Sequence, residues 1–404
     1  MEFVKGGVCA PAGFKAGGIY AGFRNNPAKK DLAMIVSDRK ASAAGVYTQN
    51  KVKGAPIEVT RRHIEDGYAS ALICNSGNAN TCAPNGVSVA ERTCELAASA
   101  LGLDASDIAV CSTGVIGQEL DLAPFEAGIP VLAGTLSYDG SSEAAAAIMT
   151  TDTVMKETAV SFDIEGTRCT IGGISKGSGM INPNMATMLG FITTDVNISP
   201  QMLQKALSAD IVTSFNQICV DGDTSTNDTV IILANGMAQN DEITSEGEAY
   251  HTFCEALSAV TTYLAKKMAA DGEGATKLIE CTVKGAPDDE TARKIAKSVI
   301  SSNLLKAAIF GSDANWGRVL CAIGYTDAVF NADSIDVEMK SAKGSVRVCE
   351  GSRHREYSED EASEILKESE ILIDVNMNQG TGGGTAWGCD LTYDYVKING
   401  DYRS

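Results

Sequence analysis

A layered α/β fold is predicted by three patterns in the 404-residue sequence. Short apolar runs of strand length alternate with longer stretches whose apolar residues recur every three or four positions. Several of the strand-like runs carry polar insertions. Glycine, at 40 residues, points to many tight turns and to a site built on loops.

In chain order the strand-like runs are 32–36, 71–74, 109–111, 167–171, 188–193, 229–233, 278–283 and 371–375. Helical spacing joins Val87, Ala90, Cys94, Ala97 and Leu101, and again Phe253, Leu257, Val260, Leu264 and Met268. A weaker helical pattern runs between Thr291 and Ile309. A chain of this length usually divides its core, so two lobes are expected. The loop 175–186 is the best candidate for a break between two halves. No internal repeat or low-complexity tract stands out.

Composition narrows the partners. A formal net charge of −19 argues against nucleic acid and against an anionic membrane surface, and favours small-molecule partners. The twelve cysteines contain no C-x-x-C pair, and several lie in apolar runs, as in Ile73-Cys74 and Leu320-Cys321-Ala322. Such thiols behave as small buried hydrophobes and place the chain in a reducing cytoplasm, without a disulfide framework or a zinc site. Only His63, His251 and His354 could serve a histidine-based mechanism, and each reads better as a surface or helix-end residue. The first residues lack the apolar core of a signal peptide, and no run approaches the ~18 apolar residues of a membrane span.

The stretch from Lys176 to Gly190 carries the most information. A polar loop punctuated by Gly and Pro delivers Ala186-Thr187, and the apolar run 188–193 follows at once. That order suits a chain that cuts itself before Thr187 and uses the new terminal residue. A terminal threonine carries its own base, because an α-amino group has a pKa near ~7.7–8.0. Taken alone, a glycine-rich turn into a core strand is the commoner meaning. Cys111-Ser112-Thr113-Gly114-Val115-Ile116-Gly117 ends an apolar run with a Gly-containing turn, which would free backbone N–H groups for an oxyanion; an ordinary strand-ending turn explains it as well. Asp271-Gly272-Glu273-Gly274 ends the Phe253–Met268 helix with glycines and leaves Glu273 where it could meet an ammonium.

Three further motifs are weaker. Asp221–Asn227 spaces oxygens like a calcium loop, but position six is Thr226 and position twelve is Ile232, so a polar loop before a strand is the better reading. The Gly-rich 379–385 stretch has no GK[ST] and opens no helix, which favours a tight turn or close backbone packing. Lys176-Gly177-Ser178-Gly179 lacks the Walker A order.

Together these segments resemble one family. Ser112–Gly117, Met149-Thr150-Thr151-Asp152-Thr153, Lys176–Leu189, Asp221–Thr229, Gly272–Thr276, Asp313–Arg318, Trp387–Leu391 and Asn399–Ser404 match, in order, the glutamate N-acetyltransferases of arginine biosynthesis, also called ornithine acetyltransferases. Pro183-Asn184-Met185-Ala186-Thr187-Met188-Leu189 is highly specific. Asn182, before the proline, departs from the smaller residue or histidine expected there.

The resemblance implies an α/β sandwich layered like the N-terminal-nucleophile hydrolases but connected differently. It implies self-cleavage between Ala186 and Thr187 into an α chain, 1–186, and a β chain, 187–404, folded together and assembled as a heterotetramer. Thr187 would be the nucleophile, and Thr113 with Gly114 the oxyanion hole. Lys176, Glu273, Asn399 and Ser404 would contact substrate, with one threonine of the 150–153 motif, Thr150 before Thr153. N-acetylornithine would donate the acetyl group and glutamate accept it, with acetyl-CoA open as a second donor. No cofactor and no metal are needed, since one amide is exchanged for another. A self-processing aminopeptidase and a non-catalytic binding protein of the same fold are the rival readings.

Overall fold

The computed structural model describes residues 1–182 and 188–401. Ala186, Thr187 and Ser404 therefore lie outside the described residues. The chain divides into two compact units, one holding 1–177, 188–214 and 223–264, the other 178–182, 215–222 and 265–401.

The first unit is built on a nine-stranded sheet. Its strands are β1 (Glu2–Val4), β2 (Phe14–Ile19), β3 (Leu32–Tyr47), β4 (Tyr68–Asn78), β5 (Ile108–Val115), β6 (Lys156–Ile164), β7 (Thr167–Lys176) and β8 (Leu189–Thr194). After β9 (Ile218–Cys219), which belongs to the second unit, β10 (Thr229–Ala234) completes it. The order is β1-β6-β7-β8-β10-β3-β4-β5, with β2 paired to β3. Helices α1 (Ala55–His63), α2 (Gly86–Leu101), α3 (Ala123–Thr135), α4 (Ser141–Ile148) and α5 (Pro200–Asp210) belong to this unit, as does α6 (Glu248–Ala270) through Leu264.

Layering follows from the two-residue period of a strand. Leu32, Met34, Ala71, Ile73, Ile108 and Val110 pack with α1, α2 and α3. Their neighbours Ala33, Ile35, Leu72, Cys74, Ala109 and Cys111 pack with α4. Both faces of β3, β4 and β5 are buried, which is why these strands read as continuous apolar runs.

Strands from either side of the expected cleavage point interleave in this sheet. β8 pairs antiparallel with β7 from Ile171↔Thr194 to Lys176↔Leu189 and parallel with β10, and β10 pairs antiparallel with β3. The compact units therefore do not follow the halves 1–186 and 187–404.

The second unit has a seven-stranded sheet of order β14-β13-β12-β15-β11-β16-β9. Its remaining strands are β11 (Leu278–Ala286), β12 (Asp336–Ser341), β13 (Gly344–Glu350), β14 (Arg353–His354), β15 (Glu370–Asn376) and β16 (Gly382–Cys389). Ile279, Cys281 and Val283 of β11 and Ile371, Ile373 and Val375 of β15 share a core with α7 (Asp289–Ser301), α8 (Asn303–Phe310), α9 (Trp316–Gly324) and α10 (Glu359–Leu366). The C-terminal helix α11 (Tyr393–Asp401) buries no side chain.

Every strand-like run of the sequence falls on a strand, within one residue. The weak 291–309 pattern is two helices: Ser302 leaves helical geometry at φ −73°, ψ 110°, and its hydroxyl accepts from Leu305 N–H to start α8. The Gly-rich 382–384 stretch is strand packed against backbone. A Cβ on Gly382 would lie 2.2 Å from the carbonyl carbon of Asp288, and one on Gly384 2.6 Å from Arg293 N. All twelve cysteines are unpaired, and most are buried.

Candidate active site

Thr113 and Gly114 lie inside β5, which continues through Val115 rather than ending in a turn at Gly114. The irregularity expected there is a register shift against β4 at Gly77 and Asn78. Gly114 adopts φ +134°, and a Cβ on it would lie 2.3 Å from the carbonyl carbon of Gly77. Only glycine fits so close to another backbone. A buried polar network fixes the strand from behind. Ser112 Oγ donates to Asn75 Oδ1 at 2.6 Å, and Asn227 Nδ2 donates to the Ser112 carbonyl at 3.0 Å and to that of Ala79. The Thr81 and Thr226 hydroxyls donate to Asn227 Oδ1 at 2.5 and 2.6 Å.

Lys176 ends β7, and its ammonium donates to Thr113 Oγ1 at 3.0 Å. Burial loosens its hold on the proton, and the charges of Asp152 and Asp228 act the other way. Asp152 is the centre of charge. Its Oδ1 accepts from Lys156 Nζ at 2.6 Å and from Gly177 N–H at 2.7 Å, and its Oδ2 from Thr150 N–H at 2.9 Å. Burial favours the neutral acid, but Lys156, Lys176 and these hydrogen bonds hold the carboxyl at about 2. Thr150 is half-buried and Thr153 exposed.

In the second unit Glu273 follows the end of α6 and is buried. Its Oε2 accepts from Asn399 Nδ2 of α11 at 2.8 Å, and its backbone N–H donates to Ser178 O at 3.1 Å. A Cβ on Gly179 would sit 2.4 Å from the Glu273 carboxyl carbon, so a larger residue at 179 would displace the Glu273 side chain. The left-handed glycine of this turn is Gly274, at φ +69°, and not Gly272 as a helix-ending cap would have it. At Gly272 a Cβ would lie 2.7 Å from Cys389 Sγ, so the crowding there comes from a side chain. Asp390 anchors the turn by accepting from Thr276 and Lys277 N–H at 2.8 and 2.9 Å.

Among the sequence-predicted positions, the structure brings Thr113 to Lys176 and Glu273 to Asn399. Asp152, Lys156, Asn227 and Asp390 were not singled out as site residues. Asp152, Asn227 and Asp390 lie in motifs already noted, but their roles come from burial and partners that no spacing reveals. In the Asp221–Asn227 motif, Asn227 spends its side chain on β5 and on Ala79, just beyond β4.

The first unit thus defines an open α/β sheet protein that presents a lysine-braced threonine beside a glycine whose Cβ position is occupied by backbone. The ArgJ family model matches residues 15–404, and the chain belongs to this family. It is 48% identical to the "arginine biosynthesis bifunctional protein ArgJ" of Caldanaerobacter subterraneus subsp. tengcongensis, over 100% of both chains. It is 47% identical to the protein of that name in Bacillus subtilis, over 99% of this chain and 97% of the other. The crystal structure of an arginine biosynthesis bifunctional protein from Bacillus halodurans is 49% identical with a TM-score of 0.51, and covers 54% of this chain and 100% of its own.

Proposed function

We propose that this chain transfers the acetyl group of N-acetylornithine to glutamate through an acetyl ester on Thr187, after cutting itself between Ala186 and Thr187. The observation that carries the reading is the bond from Lys176 to Thr113. A hydroxyl that accepts from an ammonium is polarised and turns its own O–H toward another acceptor. Beside it, Gly114 brings a backbone N–H without a side chain in the way. That pair suits an oxyanion, and one such donor contributes roughly 3–4 kcal/mol to the transition state.

The Thr187 amine takes the proton of its own hydroxyl, whose oxygen attacks the acetyl carbonyl. Thr113 and Gly114 receive the oxyanion. Collapse breaks the amide C–N bond, the Thr187 ammonium returns its proton to the departing ornithine amine, and an acetyl-threonyl ester remains. The amine of glutamate then attacks that ester by the reverse sequence. Lys176 has donors beyond the one given to Thr113 and suits a substrate carboxylate. Glu273, steadied by Asn399, suits an ammonium, and Thr150 or Thr153 and Ser404 complete the substrate contacts.

Two further observations support processing. Leu189, two residues beyond Thr187, is the register partner of Lys176. The Bacillus halodurans chain, matched along its whole length, accounts for 54% of this one, the share that 187–404 makes up. Because relatives are called bifunctional, acetyl-CoA is proposed as a second donor. A cytoplasmic (αβ)₂ heterotetramer is proposed on the family resemblance, and the unpaired thiols agree with a reducing compartment. No helix among the described residues is long and apolar enough to cross a membrane.

The test is to incubate the protein with N-acetylornithine, with and without glutamate. N-acetylglutamate formed in step with ornithine supports transfer. Acetate release indifferent to glutamate would mark a hydrolase instead.

A further inference from the structure

Met180 has φ +57°, a region that residues with a Cβ sparsely populate, and its side chain is 43% exposed. Packing therefore does not hold it there. Hydrogen bonds do, and one carboxylate accepts two of them: Asp221 Oδ2 accepts from Met180 N–H at 2.5 Å and Oδ1 from Ile181 N–H at 2.8 Å. Two neighbouring contacts hold the same stretch. Val220 N–H donates to Ile181 O at 2.6 Å, and Asn182 Nδ2 donates to Gly222 O at 3.0 Å. Ile181 is itself fully buried.

All of these residues belong to the second unit, and 180–182 are the last described residues before the segment that holds Ala186 and Thr187. We infer that Asp221 is a positioning residue for self-cleavage: its carboxylate fixes the backbone that leads into the scissile bond. The inference rests on the proposal that the chain cuts itself before Thr187.

The physical reason is orientation. Two successive amides directed at one anion specify the path of the chain more tightly than either does alone, and both bonds are charge-assisted. They also compensate for the unfavourable backbone of Met180. Without the carboxylate the turn relaxes to ordinary dihedrals and re-aims the residues that follow. An intramolecular attack by Thr187 on its own preceding carbonyl is sensitive to such a shift, because its rate depends on near-attack geometry. The two hydrogen bonds described for Asp221 go to the backbone of 180–181, which is not assigned to substrate. Its loss is therefore expected to act before the mature enzyme exists, on a step made once per chain.

The experiment follows full-length wild type, Asp221→Asn and Asp221→Ala after synthesis in a cell-free translation reaction, sampling the intact band on denaturing gels. Asp221→Asn, which keeps one acceptor and loses the charge, should cleave about tenfold more slowly than wild type, and Asp221→Ala more slowly still. A thermal melt of the intact variants confirms that they are folded. Should Asp221→Ala fail to fold, the near-isosteric Asp221→Asn carries the comparison. Turnover per processed chain should stay within about twofold of wild type, a split that general damage would not produce. Variants that cleave at the wild-type rate would overturn the role of Asp221 and leave the acetyltransferase reading intact. So would slow cleavage accompanied by an equal loss of turnover per processed chain. A wild-type chain that stays intact yet active would overturn both.

Discussion

Asp152→Asn separates the charge of one buried carboxylate from its shape. Asp152 and Lys156 meet at 2.6 Å with both side chains fully buried. Holding the carboxyl at about 2, against an ordinary 3.8, corresponds to roughly 2–3 kcal/mol in favour of the charged form. Because the folded pKa is depressed, this contribution is fully present above about pH 4 and is lost as pH falls toward 2. The substitution leaves the Lys156 charge buried opposite a neutral amide, which costs about 3–5 kcal/mol. Urea denaturation at neutral pH should show that loss. The double substitution Asp152→Asn with Lys156→Met removes both charges and should recover most of it. Activity should not recover, because Lys176 depends on Asp152 to keep its proton against burial. Removing that negative charge lowers the Lys176 pKa further. Lys176 gives Thr113 a charge-assisted bond only as an ammonium, so the alkaline limb of kcat should move to lower pH, by less in the double variant, where removing the Lys156 charge works the other way. An Asp152→Asn enzyme with less than about 0.5 kcal/mol of lost stability and an unmoved alkaline limb would refute this account.

Purified protein should run as two chains on a denaturing gel, with the larger sequence starting at Thr187, and Thr187→Ala should remain a single inactive chain. In gel filtration the two chains should elute together, since β8 and β10 are hydrogen-bonded between β7 and β3, and part only in denaturant. Double-reciprocal plots for N-acetylornithine and glutamate should be parallel, and mass spectrometry with the donor alone should find one acetyl group on the 187–404 chain. Intersecting lines would indicate transfer within a ternary complex. Thr113→Ala should lower kcat and kcat/KM by similar factors, about 10²–10³, whereas Glu273→Gln should act mainly through KM. An unchanged kcat with a raised KM would remove Thr113 from the oxyanion hole; the processed fraction must be measured first, since slower cleavage mimics lost turnover.

The parts of this molecule that were legible in its sequence are those whose cause is local. Ile279, Cys281 and Val283 alternate because β11 buries one face, and Leu32 through Val36 run together because β3 buries two. The Val87–Leu101 spacing is a helix because its stripe meets the sheet. Where strands carry glycine or polar residues the signal fails. β16 carries Gly382 and Gly384 because the backbones of Asp288 and Arg293 occupy the space of their side chains, a long-range cause invisible in the run itself. The same limit applies to the site. Thr113-Gly114 was legible as a pair, but the Gly-containing turn expected with it comes after Val115, at Gly117. What bends the strand at Gly114 is Gly77 on β4, thirty-seven residues away in sequence. Asp152 stood between threonines that drew the notice, and only its burial with Lys156 and its reach to Gly177 show it to be the stronger determinant. Glycines were the most misleading signal, because Gly114, Gly179 and Gly272 are small for the sake of something distant: a carbonyl, a carboxylate and a thiol. A cluster of glycines around polar residues therefore marks close approach as readily as it marks a turn, and the two are told apart by asking what a Cβ would strike.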